Sequence, residues 1–460
     1  MNRIFRPLTR HMSRISRTLS PAQVITLIFA AIVLLGACLL CLPAASRTGS
    51  SCGFLTALFT SCSATCVTGL SMVDTFTQWS GFGQAVLLCL IQVGGLGFMT
   101  IFSLFLLMLN AKLGLKKRMI LQQTFGLTDI RGVVTLLRRV ILVTAVVELS
   151  CAVILCIRFC FDFPIKSAVW MGLFHSVSAF CNAGFDIMGR ISPGCSLSPY
   201  AGDPLVLGIV IFEIVLGGIG FFVWQDIWLN RRSLKNLSVY SKLALCVTGI
   251  LLLGGAVVFG ACEWNNPATL GGANFGGKLL GAVFQSVTTR TAGFATFSQG
   301  AMTEAGKALS CIWMLIGGCS GSTAGGMKTV TVAVLLLSAL NTARGKTGLT
   351  VFHREVSREQ ISMATAIVTL MVSLALIGAV ILAAGNGLPF IDALFETSSA
   401  LGTVGLTADV TPGLSAASQI MIIIFMFFGR VGIITIALGF MMGDRANRRI
   451  RYAETKLMIG

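Results

Sequence analysis

Along this chain, hydrophobic positions run together in charge-free stretches of about 20 residues, the length that carries an α-helix across the hydrocarbon layer of a bilayer. Four of these stretches are uninterrupted: 22–42, 82–110, 243–262 and 361–384. Four more, 140–161, 205–229, 310–340 and 415–442, each hold a polar or glycine-rich feature. Between the two members of each successive pair lies a short segment of mixed apolar and hydroxyl residues. The pattern therefore predicts an all-α polytopic membrane protein of eight spanning helices. Composition agrees, because a chain that is 55% hydrophobic and 11% charged lacks the polar groups to cover a water-soluble surface.

Charge sets the orientation. The net charge is +17, and most of the 34 Lys and Arg residues fall in the tail with Arg3 to Arg17, in 112–139, 231–242 and 344–358, and in the tail 445–456. An excess of basic residues marks the cytoplasmic side, so both termini are expected inside. The opposite side carries Asp74, Asp162, Asp186, Asp203, Glu263, Glu304, Asp392 and Asp409 against fewer basic residues. No aromatic and basic module accompanies the basic loops, which argues against nucleic acid as a partner. The apolar core of 22–42 is longer than the roughly 7–15 residues of a signal-peptide core and reads as a retained first helix. The expected divisions are a basic tail 1–21, repeat 1 at 22–110, a cytoplasmic loop 111–137, repeat 2 at 138–229, a loop 230–239, repeat 3 at 240–340, a loop 341–360, repeat 4 at 361–442 and a tail 443–460.

The repeats are visible in the short segments. Phe59, Phe174, Phe284 and Phe395 are each followed by a run of Ser, Thr and Ala, and then by Gly69, Gly184, Gly293 or Gly405 with Leu or Phe next. The Phe-to-Gly separation is ten residues in three copies and nine in the third. About a dozen residues cannot span a bilayer, so each segment is expected to be a half-length helix that enters and turns back. Irregular backbone at that depth is tolerated only where protein buries it or it lines water, and a ring of four such loops around one axis meets that condition. A dehydrated monovalent cation needs several oxygen dipoles at once. Backbone carbonyls supply them where glycine permits the conformation, and the C-terminal ends of the half-helices add partial negative charge. The candidate ion filter is therefore Thr68 and Gly69, Ala183 and Gly184, Ala292 and Gly293, and Val404 and Gly405. A glycine that merely ends a short helix would look the same in any one loop; four in register favour the cation site.

These loops resemble the filter loops of the Trk/Ktr/HKT superfamily of potassium transporters over essentially the whole chain, and most nearly the Ktr type. The most specific marks are Thr288-Thr-Arg-Thr-Ala-Gly293-Phe, the run from Gly317 to Thr329, and the ending from Arg451 to Gly460. The Ktr type begins directly with the first repeat, and residues 1–21 leave no room for two extra helices. The resemblance implies a potassium uptake protein of the bacterial inner membrane that is a homodimer with one pore per subunit. It also implies a cytosolic ring of nucleotide-binding (RCK-type) regulatory subunits and sodium as an activator. A serine in place of the first filter glycine goes with sodium transport in that superfamily, and Gly69 stands here.

The run Gly317, Gly318, Cys319, Ser320, Gly321, Ser322, Thr323, Ala324, Gly325, Gly326 holds too many helix breakers for a continuous helix and predicts an irregular intramembrane loop. Its carbonyls need donors, for which Arg430 and Lys328 are the candidates. The resemblance implies that this loop obstructs the pore and moves with the cytosolic ring. A seam for helix packing is the plainer reading, and the same reading fits the clusters at Gly94-Gly95-Leu-Gly97, Gly217-Gly218-Ile-Gly220 and Gly429-Arg430-Val-Gly432. Glu148 and Glu213 sit in spanning stretches, where a carboxyl is expensive. Glu396 and Arg290 lie in the pore segments and are expected to brace them from behind.

The fifteen cysteines are scattered through apolar stretches, and His11, His175 and His353 are the only histidines. No metal centre or nucleophile with its base is assembled, so neither an enzyme nor a resident cofactor is expected. An ion-coupled carrier of an organic solute also uses broken helices, but inverted repeats are its mark, and all four repeats here run in the same direction.

Overall fold

The computed structural model describes residues 21–97, 133–231, 233–346 and 348–432. Helices dominate, in an order set by the alternation of long and short apolar runs. The first group is α1 (Pro21–Leu40), α2 (Phe54–Thr65) and α3 (Gly81–Leu96). The second is α4 (Val133–Phe159), α5 (Ile165–Phe180), α6 (Pro204–Ile219) and α7 (Phe221–Leu229). Next come α8 (Val239–Glu263), α9 (Phe275–Thr288), α10 (Glu304–Leu315) and α11 (Thr329–Ala343). The last are α12 (Arg358–Asn386), α13 (Phe390–Gly402) and α14 (Ala416–Val431).

The long helices face lipid on one side. Leu142, Val146, Leu149, Val153 and Ile157 recur along α4 at helical spacing and are exposed, whereas Val140, Thr144, Glu148, Leu155 and Phe159 on the other face are buried. An exposed apolar stripe backed by buried polar groups inverts the arrangement of a water-soluble helix and is stable only in hydrocarbon. Among the described residues, α4 from Arg138 onward, α8 and α12 are each long and apolar enough to cross a membrane.

Each short helix, α2, α5, α9 and α13, packs against the long helix that precedes it. The helices that follow start at side-chain caps: Ser80 accepts from Gly83 N, Asp203 from Leu205 N and Val206 N, Thr303 from Gly306 N, and Ser415 from Ser418 N. Such caps are worth about 1 kcal/mol each and fix where the chain turns back inward.

The expectation of one continuous helix over 82–110, 205–229 and 415–442 is corrected. α3, α6 and α14 stop at Gly97, Gly220 and Gly432, whose φ values of 76°, 97° and 92° lie outside the helical region. After Gly220 the chain bends by 87° into α7. In the third group the break is longer, with 316–328 separating α10 from α11. The loop expected at 111–137 lies almost wholly outside the described residues, as do nearly all of the tail 1–21 and the whole of the tail 443–460. The loop 341–360 contains an unforeseen antiparallel hairpin, β1 (Leu349–Val351) with β2 (Arg354–Val356). Phe352 and His353 make its two-residue turn with φ of 46° and 63°, the primed geometry that hairpins favour, without the usual Asn-Gly signal.

Candidate functional site

The four short helices end near one another, and the backbone after each takes the same path. Val67, Asn182, Thr291 and Thr403 have φ between 51° and 66°, and two residues later Gly69, Gly184, Gly293 and Gly405 have φ of 96°, 68°, 84° and 98°. Only at those glycines is there no Cβ to obstruct the next loop. A Cβ on Gly69 would lie 2.5 Å from Ala183 O, on Gly184 2.8 Å from Ala292 O, on Gly293 2.4 Å from Val404 O, and on Gly405 2.2 Å from Thr68 O. The four contacts close a ring in chain order, and all eight residues expected at the filter are in it. Thr68, Ala183, Ala292 and Val404 are fully buried. The ring opens on one side into a cavity of about 480 Å³, lined by the four glycines together with Asp74, Asp186 and Asp409. Asp186 accepts from Met188 N at 3.0 Å. Burial pushes its carboxyl up to about 6, against the pull of that hydrogen bond and with the help of the Asp74 charge.

The loop 316–328 meets the opposite end of the ring. Its base is pinched by Gly317 N donating to Met327 O at 2.8 Å and Met327 N to Leu315 O at 3.2 Å. Cys319 N and Thr323 N donate to Gly218 O and Gly217 O at the end of α6, and Thr323 Oγ1 donates to Phe180 O at the end of α5. On the other flank, a Cβ on Gly325 would meet Thr403 Oγ1 at 2.0 Å. Gly321 O accepts from Phe221 N, Ser320 O accepts from the Tyr240 hydroxyl, Ser322 Oγ donates to Cys319 O, and Gly318 O accepts from Thr329 N. Arg430 joins this loop to the first group: its guanidinium donates to Thr323 O and to Gly94 O, and to Gly95 O at 3.2 Å. Lys328 Nζ donates to Ala324 O at 2.8 Å. Gly326 has φ of 62° and lies against Gly402.

A family pattern described as the TrkH cation transport protein matches residues 17–449. The chain belongs to the TrkH family of cation transport proteins. It is similar to the potassium/sodium uptake protein NtpJ of Enterococcus hirae, with 37% identity over 98% of this chain and 100% of that protein. It is also similar to the Ktr system potassium uptake protein B of Bacillus subtilis, with 39% identity over 96% of this chain and 97% of that protein. Among solved structures, the potassium transporter TrkH from Vibrio parahaemolyticus aligns with a TM-score of 0.72 over 92% of this chain and 85% of that one. At 16% identity that likeness shows the fold alone. A member of this family moves a cation through the membrane, so the chain is an integral membrane transporter and not an enzyme.

Within this family member, the buried polar residues have assignable places. Glu148 accepts from Gln92 Nε2 at 3.0 and 3.2 Å, and Glu213 lies against Ser176 Oγ. Both carboxyls lie behind α5 and neither lines the cavity. Glu396 accepts from Thr407 Oγ1, Ala408 N and Thr411 Oγ1, and so braces the segment that leaves the fourth loop. Arg290 is buried, but its Nε has no hydrogen-bond partner, so it braces nothing through that nitrogen. The three glycine clusters are packing sites: Cβ atoms on Gly94, Gly217 and Gly429 would meet Thr65 O, Phe180 O and Leu401 O at 2.0 to 2.2 Å.

Sequence reasoning missed the hydroxyls. Two residues after each Phe, Ser61, Ser176, Ser286 and Thr397 donate to Val33 O, Glu148 O, Leu252 O and Ala375 O at 2.7, 2.7, 2.7 and 3.1 Å. Each short helix is thereby pinned to the long helix before it. Four residues after each Phe stand Ser63, Ser178, Thr288 and Ser399, which bond the backbone of the four glycine loops. The signal was available as a Phe-x-Ser/Thr-x-Ser/Thr pattern in all four copies.

Proposed function

We propose that this chain is the potassium-translocating membrane subunit of a bacterial potassium uptake system. K⁺ passes down its electrochemical gradient through the ring at Gly69, Gly184, Gly293 and Gly405, along one pseudo-fourfold axis within eight spanning helices and four re-entrant ones. The observation that carries this reading is the closed ring, in which each filter glycine faces the carbonyl of the residue before the next one. Carbonyl oxygens crowded by glycine, with the C-terminal ends of four helices aimed at them and no charged side chain among them, suit a cation that sheds its water. The names of the similar proteins support the choice of ion, since both include potassium, one of them together with sodium.

The loop 316–328 is the gate in this reading, held shut beneath the ring by Arg430 and Lys328. The working assembly is a homodimer on a cytosolic nucleotide-binding RCK-type ring, with sodium as an activator. Rubidium uptake into proteoliposomes is the test: the filter reading expects it without any organic solute, competed by K⁺ more strongly than by Na⁺. Uptake that required an organic solute would refute it, and potassium-limited growth of an uptake-deficient bacterium carrying the gene checks it in cells.

A further inference from the structure

Arg430 and Lys328 bond the carbonyls of Thr323 and Ala324 in the loop 316–328. The residues just before these, Cys319 to Gly321, are held by different elements and sit in the corner between α7 and α8. The Cys319 side chain is fully buried with Val223 of α7 and Ala244 of α8, and its Sγ lies 3.6 Å from Thr248 Oγ1 on α8. Ser320 O accepts from the Tyr240 hydroxyl of α8 at 3.0 Å. Gly321 O accepts from Phe221 N of α7 at 2.8 Å, and a Cβ on Gly321 would lie 2.4 Å from the Phe222 ring. The corner is itself stapled. Asp226 of α7 accepts from Ser238 N at 2.9 Å and from Asn230 Nδ2 at 2.8 Å. Ser238 in turn caps α8 by accepting from Ser241 N, and Tyr240 stands two residues beyond that cap.

We propose that this corner is a second latch on the loop, with Tyr240 and Asp226 as its positioning residues. The inference rests on the gate reading and deepens it, by giving a route to the loop from the side expected to face the cytoplasm. Asp226 fixes the start of α8 against α7, and Tyr240, on the first turn of α8, carries that spacing to the Ser320 carbonyl. A hydrogen bond is gone by about 3.6 Å. A small spreading of α7 from α8 therefore breaks the bond at Ser320 or the one at Gly321, because no single position of the loop then satisfies both helices. The pocket around Cys319 opens with them. Arg430 stands on α14 and takes no part in the corner, so the two holds release separately. Each adds to the stability of the same closed loop, and weakening either raises the fraction of time that the loop is open.

The test is rubidium uptake into proteoliposomes holding the full-length chain without its regulator, measured as KM and maximal rate, with Na⁺ competition as the measure of discrimination. Tyr240→Phe removes the hydroxyl and keeps the ring. Its maximal rate is expected to rise by about three- to tenfold, the range one hydrogen bond supports, with KM and discrimination in place because the glycine ring is untouched. Amide exchange at Cys319 and Thr323 is expected to quicken in the same variant, a local change that a general loss of stability would not confine to the loop. Asp226→Asn weakens the staple from the other side; it is expected to shift rate and exchange in the same direction, and gives the readout if Tyr240→Phe does not accumulate. Combined with Arg430→Ala, Tyr240→Phe is expected to multiply the single effects until the loop is fully open, as two separate holds require. Unchanged rate and exchange in both Tyr240→Phe and Asp226→Asn, with a raised rate in Arg430→Ala, overturns the latch and leaves the gate standing. A changed KM or lost discrimination in Tyr240→Phe also overturns it, since the hydroxyl would then act on the ring. Failure of the underlying gate reading shows separately, as unaltered flux in both Arg430→Ala and the deletion of 321–325.

Discussion

At Gly69 two constraints coincide, a φ of 96° and an Ala183 carbonyl 2.5 Å from where a Cβ would sit. Gly69→Ser is expected to push that carbonyl out of place and reduce the preference for K⁺ over Na⁺ by about tenfold, equivalent to roughly 1.4 kcal/mol of differential binding. Competitive flux in proteoliposomes checks it. Asp186 offers a second measurement. Burial holds its carboxyl at about 6, so it is charged at neutral pH and becomes neutral as the pH falls through that value. The cavity then loses a negative charge beside the ring, and KM for K⁺ is expected to rise between pH 7 and 5. In Asp186→Asn that rise is expected to flatten. The glycines were legible in the sequence because four recur in register, each at a positive φ that favours a residue without a Cβ. Val67, Thr291 and Thr403 were not, because their positive φ is imposed by the surrounding loop and leaves no mark on residue type.

Among the elements, the third break is the one with mechanical consequences. Arg430 on α14 binds carbonyls of both the loop 316–328 and the end of α3, so one side chain clamps two separate pieces of the molecule. Arg430→Ala removes the clamp, and deletion of 321–325 removes what it clamps. Both variants are expected to raise K⁺ flux and weaken its dependence on the cytosolic regulator; normal folding with unaltered flux and full dependence in both would exclude the loop as a gate. The irregularity of this loop was legible because its glycines outnumber its helix formers. The breaks at Gly97, Gly220 and Gly432 were hidden, because apolar residues continue past each and a single glycine inside an apolar run reads as packing. Nor did the hairpin at Leu349–Val356 announce itself, since its two strands are only three residues each.

For the whole molecule, the sidedness of charge governs partnership. Arg231, Arg344, Lys346, Arg354 and Arg358 are exposed in the segments expected to face the cytoplasm, while Arg232, Lys116, Lys117 and Arg118 lie outside the described residues. Charge reversal at Arg231 and Arg232, or at Lys116, Lys117 and Arg118, is expected to weaken co-purification with the regulatory subunit, and more so at low salt, where steering is strongest. Retention of both variants through a high-salt wash would show that the contact is not electrostatic. The ring itself was legible only through repetition, since no single loop distinguishes a filter from a helix cap. Its construction from one polypeptide has a genetic corollary. In a pore built from four identical subunits, every codon change is stamped into all four positions at once. Here it alters one position, and the other three go on specifying the original lining. Each loop can therefore drift separately, and Thr-Gly, Ala-Gly, Ala-Gly and Val-Gly now occupy what is geometrically the same place.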